Sequence, residues 1–538
     1  MNLYKTKLAF AILATASLAA CGGSSSSSGG GGGGGGDTGP DGQSWQEDFS
    51  GGDQYDVITS AAGFSLNNNT LEIETTETTS GDYDGPFTTP AGNSVTPDNY
   101  FGAVDPSVNN PDDTPGNGGP FWDGWTMRAS GVDGNLPGGD FHPLEADIGA
   151  NGSGEAIEPA SSQNCSNIAG GLTYGGDKAV FAGTFPICVI EDGDLDGDYT
   201  LTNDHIYVLD GTVQVGNGDG EEAHEGGTTT VREDILTIEE GTQIFGAATT
   251  DPSLVVTRGS EIDASGTAEL PIIFGGVEYN SSADPVITDD PTNLTTRGQW
   301  GSLVISGYGE INNASSDGQT TTEAVPDGVT RWFGGTDNGD SSGTIEYVIL
   351  AETGEAFRPD EEVQGLTIEA AGSGTTISHV QVTNSDDDGF EWFGGAADAR
   401  NIVLQGVSDD TLDQDLGWQG TVKKALIVQG ANHGDRGMET DNNGDNFGAT
   451  PKTSPVLVNV TILGNAGNGG ASDANTMGAL HREGYGGQVY RSVYADDTFN
   501  GGQFDLGCLD VDSELDEDLA YGDVIFNCNN GSLVNDSD

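Results

Sequence analysis

One pattern occurs three times in succession: TTISHVQVTNSDDDGFEWFGG (375–395), ARNIVLQGVSDDTLDQDLGWQG (399–420) and VKKALIVQGANHGDRGMETDNNG (422–444). Each segment opens with an alternating β-branched run, passes through a corner rich in Gly, Asp and Asn, and includes a short acidic phrase. The runs recur about every 22–26 residues, which is the length of one coil of a parallel β-solenoid, whose coils bury their apolar edges against their neighbours. The sequence therefore predicts an all-β protein built as a parallel β-helix.

The acidic phrases of these segments provide the main functional lead. If the register holds, Glu391, Asp413 and Glu439 form one column, because stacked coils lie about 4.8 Å apart. Carboxylates at that spacing repel by roughly 3 kcal/mol per pair at a semi-buried site, so the column needs cations, basic partners or shared protons. The nearby basic side chains in the sequence, Arg436 and Lys423, are too few to neutralise it.

Calcium is the expected cation, because the site offers oxygen ligands and no cysteine. The alternative is a solvated acidic edge whose loops lie apart. The candidate ligands are Asp388, Glu391, Asp410, Asp413, Asp415, Glu439 and Asp441, with Asp386, Asp387, Asp409, Asp435 and Asn442 beside them. A second candidate is the turn with Asp192, Asp194 and Asp196, which resembles the first half of a calcium loop but lacks the closing Glu.

Composition restricts the partners. The 538 residues are 34% hydrophobic, include 87 Gly and carry a formal charge of -70. A solenoid accounts for the low apolar fraction, because its thin core needs few apolar residues in each coil. A surface this acidic repels nucleic acid and attracts divalent cations.

The N-terminus has the features of an export signal, with Lys5 and Lys7 before an apolar run. LAAC at 18–21 resembles a bacterial lipobox, and this implies that Cys21 is acylated as the first mature residue. Gly22 after it implies the outer membrane, with the cell surface favoured over the periplasmic face. An ordinary secretory signal with an incidental cysteine is the alternative. Residues 22–36 are Gly and Ser, and we expect them to act as a tether.

The four cysteines that follow Cys21 favour disulfides in an exported chain. Three connectivities are open, and the local one pairs Cys165 with Cys188 and Cys508 with Cys528. Each loop of about 20 residues would contribute roughly 3 kcal/mol in the chain-entropy model.

Six regions follow from these patterns. They are a signal peptide (1–20), the lipidated cysteine and tether (21–36), an irregular acidic region (37–164), an N-terminal cap with the first strands (165–234), the parallel β-helix (235–504) and a C-terminal cap with an acidic tail (505–538). We expect the irregular region to cover the first coil.

Several phrases resemble a family of exported bacterial right-handed parallel β-helix proteins: LTIEEGTQIFG, ASGTAELPIIF, GQWGSLVISG and the repeated WFGG. The resemblance covers roughly residues 200–500. It implies a right-handed β-helix and an exported location, and it implies no particular reaction.

A catalytic alternative is carried by Asp386, Asp409, Asp410 and His433, which fall one coil apart in succession. This series resembles the active site of polygalacturonase-type glycoside hydrolases, and the resemblance implies a general acid at Asp409 or Asp410, a water-activating pair at Asp386 and an assisting His433. A Gly before His433 and a later Arg-x-Lys motif are missing. Polysaccharide-lyase chemistry would need calcium and a basic residue beside it, for which Arg436 is the candidate.

The functional expectation is a calcium-binding β-helix, anchored in the outer membrane, that acts as a recognition, adhesion or structural module. Its partner would be a glycan or a surface protein. One alternative is a carbohydrate-active enzyme on the same scaffold, and another is an accessory lipoprotein of an outer-membrane transport system. Fold alone does not decide among them.

Overall fold

A computed structural model describes a defined part of the chain. These residues are 55–59, 61–66, 73–106, 120–122, 124–127, 157, 159–161, 165, 172–180, 183–217, 233–247, 250–277, 296–313, 320–321, 331–357, 363–430, 433–464, 476–496, 502–511 and 519–531. Cys21, the signal peptide and the tether therefore lie outside the described residues. No helix in the described ranges has the length and apolar character needed to cross a bilayer.

The regular secondary structure of the described part is β-strand, apart from one short 3₁₀ helix at Gly81–Tyr83. The strands, in chain order, are β1 (Tyr55–Thr59), β2 (Ser65–Leu66), β3 (Ile73–Glu74), β4 (Phe87–Thr88), β5 (Ser94–Val95), β6 (Thr173–Val180), β7 (Gly183–Leu195), β8 (Tyr199–Leu201), β9 (Ile206–Val215), β10 (Ile235–Ile238), β11 (Gln243–Ala247), β12 (Ser253–Val256), β13 (Glu261–Ser265), β14 (Ile272–Val277), β15 (Leu303–Ser306), β16 (Thr320–Thr321), β17 (Trp332–Phe333), β18 (Gly343–Ala351), β19 (Leu366–Glu369), β20 (Thr376–Thr383), β21 (Phe390–Phe393), β22 (Asp398–Gln405), β23 (Leu412–Asp415), β24 (Thr421–Val428), β25 (Glu439–Thr440), β26 (Val456–Gly464), β27 (Met477–His481), β28 (Gln488–Tyr490), β29 (Val493–Asp496), β30 (Gly507–Val511) and β31 (Ala520–Asn527).

Twenty-five of these strands form one continuous sheet, which winds into a β-helix with three faces. Face A contains β8, β10, β13, β28 and the first halves of β18, β20, β22, β24, β26 and β31. Face B contains the second halves of those long strands, with β11, β14 and β29. Face C contains β12, β15, β19, β21, β23, β25, β27 and β30. The predicted parallel β-helix is confirmed.

The core runs along the inside of the coils, because alternate residues of each strand point inward. Ile402, Leu404, Leu412 and Ile427 are fully buried in it. Trp392 and Trp418 stack in successive coils with ring centroids 4.3 Å apart. Parallel pairing begins with β7 and β9 and ends with β31, so it extends beyond residues 235–504 on both sides.

The corner between faces A and B is made by one left-handed residue in each of seven consecutive coils, with φ between 49° and 63°. We call this set the left-handed column: Tyr347, His379, Asn401, Lys424, Asn459, Arg491 and Asp523. Left-handed backbone costs about 1–2 kcal/mol at a residue other than glycine. Because the bend recurs at each coil, the surrounding ladders impose it.

The N-terminal region follows this column. The described residues between 73 and 127, which we call the strap, run along it in the direction opposite to the coils. At one end Ser80 N donates to Asp523 Oδ2 at 2.6 Å, and at the other the Trp125 ring lies edge-on to Tyr347 at 5.6 Å. Before the strap, β1 pairs in parallel with β31 and closes faces A and B of the last coil.

The expectation that the irregular region covers the first coil holds for a small part of it. Ile157 packs on the first coil, and Ala160 N donates to Asp204 O. The strap instead covers central and late coils. Its hydrogen bonds to the β-helix join positions 254 to 443 residues apart, and a repeat in the sequence does not reveal such pairs.

Both predicted disulfides are confirmed. Cys165 is bonded to Cys188 in the first coil, where β7 also pairs with the antiparallel β6. Cys508 on β30 is bonded to Cys528 after β31. One disulfide therefore lies at each end of the β-helix.

Candidate functional site

The predicted acidic column is confirmed as a register. Glu391 pairs with Asp413, and Asp413 pairs with Glu439. All three lie on the outer side of face C, because their neighbours Phe390, Trp392 and Leu412 belong to the core. Thr367 precedes Glu391 in the column and Leu480 follows Glu439, so the acidic part spans three coils.

A second acidic column lies on the turn that leads from face B to face C. Asp410 N donates to Asp388 Oδ1 at 2.9 Å, and Arg436 N donates to Asp410 Oδ1 at 2.7 Å. Each aspartate therefore caps the amide one coil further on. Beside them, Asp435 N donates to Asp409 O, so these residues also follow the coil register.

The two columns meet in one cluster. Three groups of carboxylates offer oxygens within 4.8 Å of one another: Asp387, Asp388 and Asp409; Asp388, Glu391 and Asp413; Asp409, Asp410 and Asp435. Asp388 and Asp409 are each shared between two groups, so the groups are contiguous. We call the whole set the acidic wall: Asp387, Asp388, Glu391, Asp409, Asp410, Asp413, Asp415, Asp435, Glu439 and Asp441.

Most of the wall is buried. Asp388, Glu391, Asp410, Asp413 and Glu439 each expose less than a tenth of their surface. Asp415 and Asp441 are buried as well, Asp415 in register with Phe393. Buried carboxylates at this density are unstable as bare anions, because burial removes the water that would otherwise solvate them.

Two arginines contact the wall among the described residues. Arg436 forms an ion pair with the adjacent Asp435. Arg482 contacts Glu439 Oε2 at 2.8 Å and Asp441 Oδ1 at 2.8 Å. These two arginines are far fewer than the ten carboxyl groups of the wall.

Lys423 is near the acidic phrases in the sequence, but in the structure it lies on a different face. Lys423 is on face A and binds Asp98 of the strap at 2.8 Å. Arg482 is the missed partner, and it comes 43 residues after Glu439 because that coil is longer than the two before it.

The environment shifts the acid–base equilibria of the wall. Burial raises the pKa of the Asp388, Asp410 and Asp413 carboxyls well above their usual range, and neighbouring carboxylates raise it further. Burial also raises the pKa of Glu439 to about 7, although Arg482 opposes the shift. For Arg482, burial lowers the guanidinium pKa, but Asp441 and Glu439 outweigh it and the net pKa is raised.

The donor set fits a hard divalent cation. Calcium binds oxygen at 2.3–2.6 Å, so two of its ligands lie no more than about 5 Å apart, which is the spacing within each group of three. Thr411 Oγ1, next in the chain to Asp410, is buried and has no hydrogen-bond partner in the described part of the structure. The fit rests on Asp388, Glu391 and Asp413, all three of which the sequence singles out.

The residues of the catalytic alternative lie on the same turns. Ser408 Oγ donates to Asp386 Oδ1 at 3.3 Å, and Gly434 N donates to Ser408 O, which places His433 one coil further on. Asp386 and His433 are exposed, whereas Asp410 is buried.

Arg297 is a further neighbour that the sequence did not indicate. Its Nε donates to Gly406 O at 2.9 Å. Burial lowers the pKa of His433 and the charge of Arg297 lowers it further, while Asp386 opposes both effects. Arg297 precedes the three repeats and lies on a separate loop. Its position beside His433 therefore could not be predicted from the spacing of the repeats.

The second predicted calcium site is placed differently. Asp192 and Asp194 lie on strand β7, which pairs with β9, and Asp196 lies in the bend after it. The side chain of Asp194 is outside the described residues, and Asp192 and Asp196 belong to none of the three groups of close carboxylates. Asp192 also lines an open groove of about 450 Å³, together with Glu191, Asp210, Gly211, Thr212, Thr250 and Asp251.

Comparison with known proteins gives one match. Residues 193–526 match the family model described as a pectate-lyase-like β-helix domain, which covers more than half of the chain. No curated protein and no solved structure matched the chain.

Proposed function

The chain belongs to the pectate-lyase-like β-helix domain family, and on that premise we propose that it is a calcium-binding recognition module anchored at the bacterial outer-membrane surface. The observation that carries the proposal is the buried group Asp388, Glu391 and Asp413, whose oxygens approach within 4.8 Å. Three buried carboxylates whose oxygens lie this close to one another form a strong site for a hard cation.

In this proposal the carboxylates of the acidic wall bind calcium, and the fold holds them in position. The ladders of face C fix the carboxylates at the spacing of the coils, so the site is preorganised and little conformational entropy is lost on binding. Calcium bound there lowers the net charge of the wall and links two successive coils through Asp388, Glu391 and Asp413. The calcium-loaded surface then presents a rigid, repetitive face to a glycan or a surface protein.

The direct test is calcium binding by calorimetry on the metal-free protein. Asp388→Asn should weaken binding at least tenfold, because it removes a ligand shared by two groups. Asp445→Asn is the matched control, since Asp445 is exposed and belongs to none of the three groups. No measurable binding by the native protein would refute the proposal.

The location is tested separately. Cys21→Ser should release the protein from the outer-membrane fraction, because the acyl chain is the proposed attachment. If the variant still sediments with outer membranes, the anchor is not at Cys21. A glycan array probed with and without chelator then identifies the partner class.

The second candidate function is a carbohydrate-active enzyme. The observation that favours it is the exposed pair Asp386 and His433 on the turns that carry the wall, with Arg297 reaching these turns from its own loop. Depolymerisation of a polysaccharide panel, followed by reducing ends and by absorbance of unsaturated products, tests it. Activity lost in Asp386→Asn would favour the enzyme, whereas binding without cleavage would favour the recognition module.

A further inference from the structure

The N-terminal part of the chain joins the β-helix at its last coil, although the order of the strands in the sequence would suggest the first coil. The first described residue, Tyr55, begins β1, and β1 pairs in parallel with β31 of the last coil. The first coil, at β7 and β9, is contacted only from Ile157 onward in the described residues. Whatever holds the N-terminus therefore holds the molecule at its last coil.

The strap fixes this entry point through a buried ion. Arg491 is 1% exposed, and its guanidinium donates to Asp98 O at 3.0 Å and to Ser80 O at 2.9 Å. Arg491 also forms an ion pair with Asp84 of the strap. Undocking the strap would leave this charge without these partners, and removing one side of a buried polar pair is strongly destabilising.

A second set of contacts secures the strap two coils earlier. Asp98 binds Lys423 at 2.8 Å and Lys424 at 3.0 Å, and Asp98 N donates to Asn459 Oδ1 at 2.7 Å. Asn459 Nδ2 in turn donates to Tyr100 O at 2.8 Å. Lys424, Asn459 and Arg491 all belong to the left-handed column, so the strap binds a regular series of side chains along the β-helix.

The docked strap therefore selects between two exit points. With the strap in place the chain leaves the body at β1, on the last coil. If the strap and β1 both leave the body, the next described contact with it is Ile157, on the first coil. These two points are separated by the length of the β-helix. The ten strands of face A and β1 form a stack of eleven strands with a spacing of about 4.8 Å, which gives a length of about 50 Å.

We propose that the strap orients the anchored protein, with the last coil toward the lipid surface and the first coils away from it. The proposal rests on the anchor at Cys21. Thirty-three residues separate Cys21 from Tyr55, and a flexible chain of that length would have an end-to-end distance of about 30 Å, which is less than the length of the body. The formal charge of -70 opposes a body lying flat on an anionic membrane. The groove lined by Glu191, Asp192, Asp210 and Asp251 then lies at the distal end.

The test measures the distance of each end from a membrane. The full mature chain carries Cys21→Ser and a hexahistidine tag before Gly22, and it binds phosphatidylcholine vesicles that contain a nickel-chelating lipid and an acceptor-labelled lipid. A fluorescent amino acid replaces either Asp505, exposed beside β30, or Thr184, exposed at the start of β7. We expect higher energy transfer from position 505 than from position 184.

Equal transfer from both positions, or higher transfer from position 184, would overturn the proposal. Arg491→Met and the milder Asp98→Asn, each checked for native β-structure, should reduce the difference between the two positions. An unchanged difference in a folded strap variant would also overturn it. Because the tag replaces the acyl group, these outcomes do not depend on whether Cys21 is acylated or on whether the wall binds calcium.

Discussion

At the scale of single residues, Asp413 is the centre of the acidic wall. It pairs with Glu391 on one coil and with Glu439 on the next, and its carboxyl oxygens lie close to those of Asp388. Its Oδ1 accepts a hydrogen bond from Gln414 N, which an asparagine Oδ1 can also accept. A change from Asp to Asn at this position therefore removes charge and keeps the local geometry.

Asp413→Asn should abolish most of the stabilisation that calcium gives. A ligand that binds only the folded state at a hundredfold excess over its Kd contributes about 2.7 kcal/mol, which corresponds to a few degrees in a chain of this size. In chelator the substitution should cost little, because one fewer charge relieves repulsion. Thermal unfolding with and without calcium measures both effects, with Asp445→Asn as control. Equal destabilisation in the two buffers would contradict a calcium site.

Arg482 is the second informative residue, because it neutralises Glu439 and Asp441. Arg482→Met should lower the free energy of unfolding in chelator by about 3 kcal/mol, since two buried carboxylates lose their partner. Calcium should recover part of this loss. Urea unfolding measures it, and Arg400→Met, at an exposed position on face A, is the control for a lost positive charge. Similar losses in the two variants would show that Arg482 acts only through net charge.

At the scale of elements, the wall depends on the register of β21, β23 and β25. That register could be predicted because the first two coils have nearly the same length, so that Glu391, Asp413 and Glu439 align by counting. Arg482 could not be predicted, because the next coil is longer and the count fails there. Likewise, Lys423 is close to Glu439 in the sequence but lies on face A, because its strand β24 begins there.

The contacts of the strap with the β-helix could not be predicted from the sequence at all. They join Ser80 with Arg491 and Asp98 with Lys424, across several hundred residues and without a repeat. The left-handed column could not be predicted either, because its seven members are of six different residue types. Periodicity reveals contacts between successive coils, whereas these contacts depend on where an irregular segment is placed.

The stability of the metal-free protein should fall as pH rises from about 4 through 7. The pKa values of Asp388, Asp410 and Asp413 are raised in the folded state, and that of Glu439 is raised to about 7, so the folded state binds more protons than the unfolded state in this window. Their contribution is thus fully present below the unfolded pKa and is lost as pH passes the folded pKa. Thermal unfolding in chelator at pH 5 and pH 8 measures the change.

The general charge of the chain also favours lower pH, and a matched variant separates the two effects. In Asp388→Asn/Asp413→Asn the difference between the unfolding temperatures at pH 5 and pH 8 should be smaller than in the native protein. Calcium should likewise reduce the difference in the native protein. If the double variant retains the full pH dependence, the wall contributes nothing to it.

At the scale of the whole molecule, the β-helix is close to one-dimensional. Each coil contacts its neighbours, so the ends are the places where unfolding begins. The two ends differ in the described residues. The last coil is covered by β1, by the strap and by the Cys508–Cys528 disulfide. The first coil is covered by β6 and by the short segment around Ile157, with the Cys165–Cys188 disulfide.

This asymmetry predicts unequal effects from removing the two disulfides. The loops are of similar length, so the chain-entropy model assigns each about 3 kcal/mol. Because β1 and the strap still hold the last coil, replacing Cys508 and Cys528 by Ser should accelerate amide exchange in β30 and β31 less than replacing Cys165 and Cys188 accelerates it in β7 and β9. Strands β20, β22 and β24 should stay protected in both variants. Faster exchange at the last coil would show that the disulfide, rather than β1 and the strap, closes that end.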